Sequence, residues 1–63
     1  MFEEFIGRKV VVLYKDNDKT YVLKGTLLKV DNKFLTINDK LQGITVLKLD
    51  VVLRVTEWDE DEV

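Results

Sequence analysis

The 63-residue chain predicts an all-β fold: a five-stranded, strongly bent antiparallel small barrel led by a short helix. Three observations carry this. Apolar, β-branched runs recur along the chain between short polar turns, which is the pattern of consecutive strands. Residues 23–38 (LKGTLLKVDNKFLTIN) hold Gly25 inside an apolar run and an Asp-Asn-Lys turn after it. A glycine within a strand marks a bend or a close backbone approach. Finally, only Asp50 breaks the apolar segments at 44–49 and 51–58. That is too short for a hairpin and too polar for one uninterrupted strand, so the chain must turn a corner there.

Residues 1–6 read as a short helix, with Phe2, Phe5 and Ile6 at helical spacing. Glu3 and Glu4 complement the positive end of a helix dipole, and Gly7 is a C-terminal stop. So short a helix does not persist alone in water, so its aromatic face is expected to dock on an open end of the barrel. Residues 9–14 (KVVVLY) are β-branched and aromatic and form the first strand. Val10, Val12 and Tyr14 share one face, Val11 and Leu13 the other. With both faces apolar, the terminal helix or another subunit must cover the second.

The polar segment 15–19 is a turn of hairpin length. Residues 20–30 are the long bent strand, with Tyr21, Leu23, Gly25 and Leu27 on one face and Val22, Lys24, Thr26 and Leu28 on the other. The turn at 31–33 supplies residues that bond their own backbone and tolerate left-handed conformations. The third strand spans 34–38, and 39–43 is a second polar turn. A one-turn 3₁₀ corner at Asp50 joins the fourth and fifth strands.

A chain this short buries only about 60% of the surface its unfolded form exposes. Such scaffolds usually rely on disulfides, a metal or self-association. With no Cys and no His, disulfides and nearly all zinc chemistry are excluded, and self-association remains. No cofactor is expected. The net charge of −2 conceals two blocks. Up to Thr56 there are ten basic and seven acidic residues, a charge of +3, whereas Glu57 to Glu62 holds five acids and no base. The division is a barrel domain over 1–57 and an acidic tail over 58–63, in the manner of solvated charge blocks. A sharper reading has the tail competing with an anionic ligand for the body. No apolar run reaches membrane-spanning length, and Phe2-Glu3-Glu4-Phe5 is acidic where a signal sequence is basic. The expectation is a soluble cytoplasmic protein with no membrane partner.

Catalysis is not expected. Without His or Cys, a general base would have to be a carboxylate or lysine with a shifted pKa. Asp31 and Asp39 flank the third strand as a conceivable carboxylate pair, but both stand where turns favour aspartate, and Asp50 reads likewise as a corner residue. The three glycines are isolated, so no phosphate loop is formed, and Asp16-Asn17-Asp18 lacks the glycine and glutamate of an EF-hand. Single-stranded nucleic acid needs cations along a groove and flat groups for stacking. Lys33 and Phe34 adjoin at a turn, and Lys48 precedes the Asp50 corner. A compact barrel brings these positions to one end. Two readings stand open here: a binding surface, or a core Phe34 flanked by lysines that keep an edge soluble.

Two segments resemble the Sm-like (LSm) family. Residues 7–16 (GRKVVVLYKD) are similar to the family's opening strand, and 25–31 (GTLLKVD) to its next segment, with a glycine, a bulky apolar residue two positions on and an aspartate before the turn. A short helix ahead of five strands, the last two nearly continuous, also fits. The resemblance runs from about Phe2 to Glu57, and its short motifs occur in other small barrels. It implies a homo-oligomeric ring of six or seven subunits, the fourth strand of each pairing with the fifth of the next, around a pore that binds single-stranded, often U-rich, RNA. Ring formation would remove exposed strand edges and supply the burial that 63 residues lack.

The spacing after Asp31 agrees best with the bacterial RNA chaperone Hfq, which implies that Asn32 and Lys33 line a base pocket. The chain departs from the family in three places. Leu35 stands where the eukaryotic and archaeal pattern has Asn, Leu49-Asp50-Val51 replaces the Arg-Gly corner, and Leu47-Lys48-Leu49 keeps only the lysine of a Tyr-Lys-His run. The expected RNA-binding residues are therefore Asn32 on a base edge, Lys33 and Lys48 on phosphate, and Phe34 as a stacking face. The competing expectation is a homo-oligomeric protein-interaction or assembly barrel that does not touch nucleic acid.

Overall fold

Alternating burial along the strands builds the molecule, which the computed structural model describes over residues 2–58. β1 (Lys9–Asp16) buries Val10 and Val12 completely and leaves Val11 and Leu13 half-buried on the other face. β2 (Lys19–Val30) buries Leu23, Gly25 and Leu27, whereas Val22, Lys24 and Leu28 are exposed. β3 (Phe34–Asp39) buries Leu35, Ile37 and Asp39. β4 (Gly43–Lys48) and β5 (Val52–Glu57) complete an antiparallel sheet in the order β4-β3-β2-β1-β5. The core is Val10, Val12, Leu23, Leu27, Leu35, Ile37 and Val55. Each fully buried Leu or Ile contributes roughly 1.5–3 kcal/mol over its exposed state.

The sheet is not closed, since β4 pairs with β3 and β5 with β1 and neither end strand pairs with the other. It must nevertheless curl. β4 and β5 lie at opposite edges yet are joined only by a 3₁₀ turn, Leu49–Val51. Four Cα steps from Lys48 to Val52 reach at most about 15 Å, whereas the edges of a flat five-stranded sheet lie roughly 19 Å apart. Two register shifts, at Leu13/Tyr14 in the β1–β5 pair and between Leu27 and Lys29 in the β2–β3 pair, supply the sharp local bending that bulges bring. Gly25 lies in β2 opposite Val10 on one side and Asp39 on the other. A β-carbon there would collide with the Asn38 carbonyl and come within 2.9 Å of Ile37 Cγ2, so the close approach expected of this glycine is real. The 3₁₀ corner at Asp50 stands where it was expected.

Two local expectations are corrected. The N-terminal helix is a single 3₁₀ turn, Glu3–Phe5, bracketed by left-handed backbone at Phe2 (φ 87°) and Gly7 (φ 86°). Phe2 and Phe5 pack against the core, but Ile6 is 45% exposed; a 3₁₀ turn cannot place all three residues on one side. Met1 lies outside the described residues. The hairpin turn at 15–19 is shorter than expected, because Asp16 pairs with Lys19 and only Asn17-Asp18 form the loop. Asn17 adopts φ 57°, a conformation Asn tolerates better than most residues. Trp58 donates its backbone N–H to the Lys9 carbonyl at 2.8 Å and so extends the β5–β1 pairing. The rest of the tail, 59–63, lies outside the described residues. No helix among the described residues is long and apolar enough to cross a membrane.

Candidate nucleic-acid interface

The turn between β2 and β3 is built by Asp31. Its Oδ1 accepts the backbone N–H of Lys33 and of Phe34, both at 2.8 Å, and its own N–H donates to the Phe34 carbonyl at 3.0 Å. The two amides, helped by the Lys29 and Lys33 charges, hold this carboxyl below its ordinary pKa. Asp31 is thus the turn residue the sequence implied, and it fixes the direction in which Lys33 and Phe34 leave the turn.

The corner after β4 docks on the same place. Leu49 donates its N–H to the Lys33 carbonyl at 2.8 Å, and Lys48 pairs directly with Phe34 across the β3–β4 ladder. Alternation along β3 sends Leu35 and Ile37 into the core and turns Phe34 away from it, at 40% exposure. The alternative of a core Phe34 is therefore set aside. Asn32, Lys33, Phe34 and Lys48, the four residues singled out from the sequence, line one open cleft of about 320 Å³ together with Asp50. All five are exposed. The cleft offers two ammonium groups, an amide, part of an aromatic ring and one carboxylate.

The three turn aspartates differ in what their side chains do. Asp39, 8% exposed, accepts the Leu41 N–H through Oδ1 at 2.7 Å, so it is occupied as Asp31 is. Asp50 sits inside the 3₁₀ corner, but no side-chain bond caps that turn. The corner uses its backbone and leaves its carboxylate to the cleft.

Sequence reasoning missed a second groove, of about 650 Å³, at the opposite end of β3. Val22 and Leu41 line it with Trp58, over whose ring lie the ammonium groups of Lys40 at 4.7 Å and Lys24 at 5.6 Å from the centroid. These residues are scattered along the chain, and only the single tryptophan offered a signal. It is the larger groove, yet its cations already face an aromatic ring. The smaller cleft carries the better case for an anionic ligand.

Set against protein-family models, curated proteins and solved structures, the chain matches none of them.

Proposed function

We propose that this chain is an Sm-like, ring-forming protein that binds single-stranded RNA through the cleft at the β2–β3 turn, in a non-catalytic role. The observation that carries the reading is the convergence of Asn32, Lys33, Phe34 and Lys48 on one exposed cleft. Lys33 and Lys48 neutralise phosphate, Phe34 supplies a stacking face, and Asn32 contacts a base edge, the combination single-strand binding calls for. Assembly into a ring of six or seven copies is supported by the two unpaired edge strands. β4 exposes Ile44 at 64% and Val46 at 55%, and β5 exposes Leu53 at 55%. Unpaired edges with apolar side chains invite pairing with another strand.

The test substitutes Lys33→Glu together with Lys48→Glu. Filter retention of single-stranded RNA should be abolished while the native mass stays that of the wild-type oligomer. Wild-type binding should fall steeply with salt, and a variant that neutralises one phosphate fewer should show a log–log slope flatter by about 0.7. Unchanged retention by the double variant would overturn the site assignment. The exposed apolar edges equally favour a second reading, an assembly barrel that engages only protein. Salt-insensitive association with no RNA retained would select that one.

A further inference from the structure

Resting on the RNA-binding reading above, we infer that Asp50 makes the cleft selective for guanine. The donor and acceptor inventory leads there. Lys33 and Lys48 can only donate, Asn32 can do either, and an ionised Asp50 can only accept. No hydrogen bond or ion pair holds the Asp50 carboxylate among the described residues, and the corner it belongs to is capped without it. The other carboxylate beside the cleft, Asp31, is committed to the Lys33 and Phe34 amides. Asp50 is therefore the acceptor the cleft offers alongside the Asn32 amide oxygen, and it shares that cleft with Lys33 and Lys48.

The bases differ in how they meet such a set. Guanine presents two adjacent donors, N1–H and the 2-amino group, which match the two oxygens of a carboxylate. Its O6 and N7 are adjacent acceptors suited to lysine. Adenine and cytosine set a ring-nitrogen acceptor beside their amino group and so repel one carboxylate oxygen. Uracil flanks its single donor with two carbonyls. An unpaired base in single-stranded RNA can be read along its Watson–Crick edge in this way, while Phe34 stacks without regard to base identity. Asp50 thus lowers general affinity for the polyanion and returns discrimination.

The probe is a seven-nucleotide uridine RNA whose central base is guanine, inosine, adenine or uracil, titrated at low salt against the intact protein. Inosine is guanine without its 2-amino group, so it isolates one of the two donors without altering the protein. The guanine oligonucleotide should bind at least about tenfold tighter than the other three, within the range of one bidentate pair. In Asp50→Asn that ratio should collapse towards one, while affinity for the all-uridine chain rises because a negative charge is gone. A purely electrostatic or structural Asp50 would move all four affinities by the same factor. Equal affinities in the wild-type protein, or a ratio untouched by Asp50→Asn, would overturn the guanine inference and leave RNA binding standing. Retention of none of the four would remove the RNA reading and the inference together.

Discussion

Replacing Gly25 by alanine should destabilise the fold more than the same change at Gly43. The new carbon would meet Asn38 backbone, not a movable side chain. Asn38 cannot yield, because its strand is paired on both sides, to Thr26 in β2 and to Ile44 in β4. Overpacking of this kind costs about 1–3 kcal/mol, sometimes more. Gly→Ala also restricts the unfolded chain, which returns roughly 0.4–1 kcal/mol. With backbone as the obstacle, the upper part of the overpacking range applies, and the net loss is about 2 kcal/mol. For a domain of this size each kcal/mol moves the melting temperature by about 4–8 °C, so a fall of roughly 8–16 °C should appear in a circular-dichroism melt. Gly43→Ala is the control. A β-carbon there meets nothing within 4 Å, so the cost is that of a non-glycine residue at φ 82°, about 1–2 kcal/mol, less the same unfolded-chain term of roughly 0.4–1 kcal/mol, a net loss of about 1 kcal/mol. A Gly25→Ala protein that melts at or above the wild-type temperature would refute the close approach of β2 to β3, and with it the bend.

Other consequences can be measured alongside. Leu27→Ala, at a fully buried position, should cost about 2–5 kcal/mol. That is roughly half the stability of a 63-residue domain, about 3–9 kcal/mol, so urea titration should find the unfolding midpoint lowered by roughly half; a midpoint close to wild type would contradict the assigned core. Asp31 has a folded-state pKa below its unfolded value because two amides bind its ionised form. Its contribution is present above the unfolded pKa and is lost as pH falls through the depressed folded one. Melts between about pH 7 and 2 should therefore show a shallower acid decline in Asp31→Ala than in wild type, and parallel curves would remove this role. The Lys33→Glu, Lys48→Glu and Asp50→Asn experiments test the cleft itself.

Strand existence, order along the chain and the corner at Asp50 were legible because each depends on neighbours in sequence. Period-two alternation, β-branched runs and short polar turns act over a few residues. The roles of Asp31 and Asp39 were legible for the same reason, since both bond amides two or three residues on. The four cleft residues were found from cation and aromatic proximity at two turns, helped by the Sm-like resemblance.

Other features depended on which residues the sheet brings together. Whether Phe34 faces the core or the solvent was open from composition, and the alternation of β3 around buried Leu35 and Ile37 turned it outward. Asp50 looked like one more corner residue until the fold set it beside Lys33 and Lys48 with its carboxylate unused. The Trp58 groove joins residues from β2, the β3–β4 turn and the end of β5, which no local pattern links. The extent of the first turn was decided by backbone conformation at Phe2 and Gly7, and the openness of the sheet by which strands found partners. Local propensity and turn chemistry are written into consecutive residues, whereas exposure, clefts and unpaired edges arise only when distant segments compete for the same neighbours.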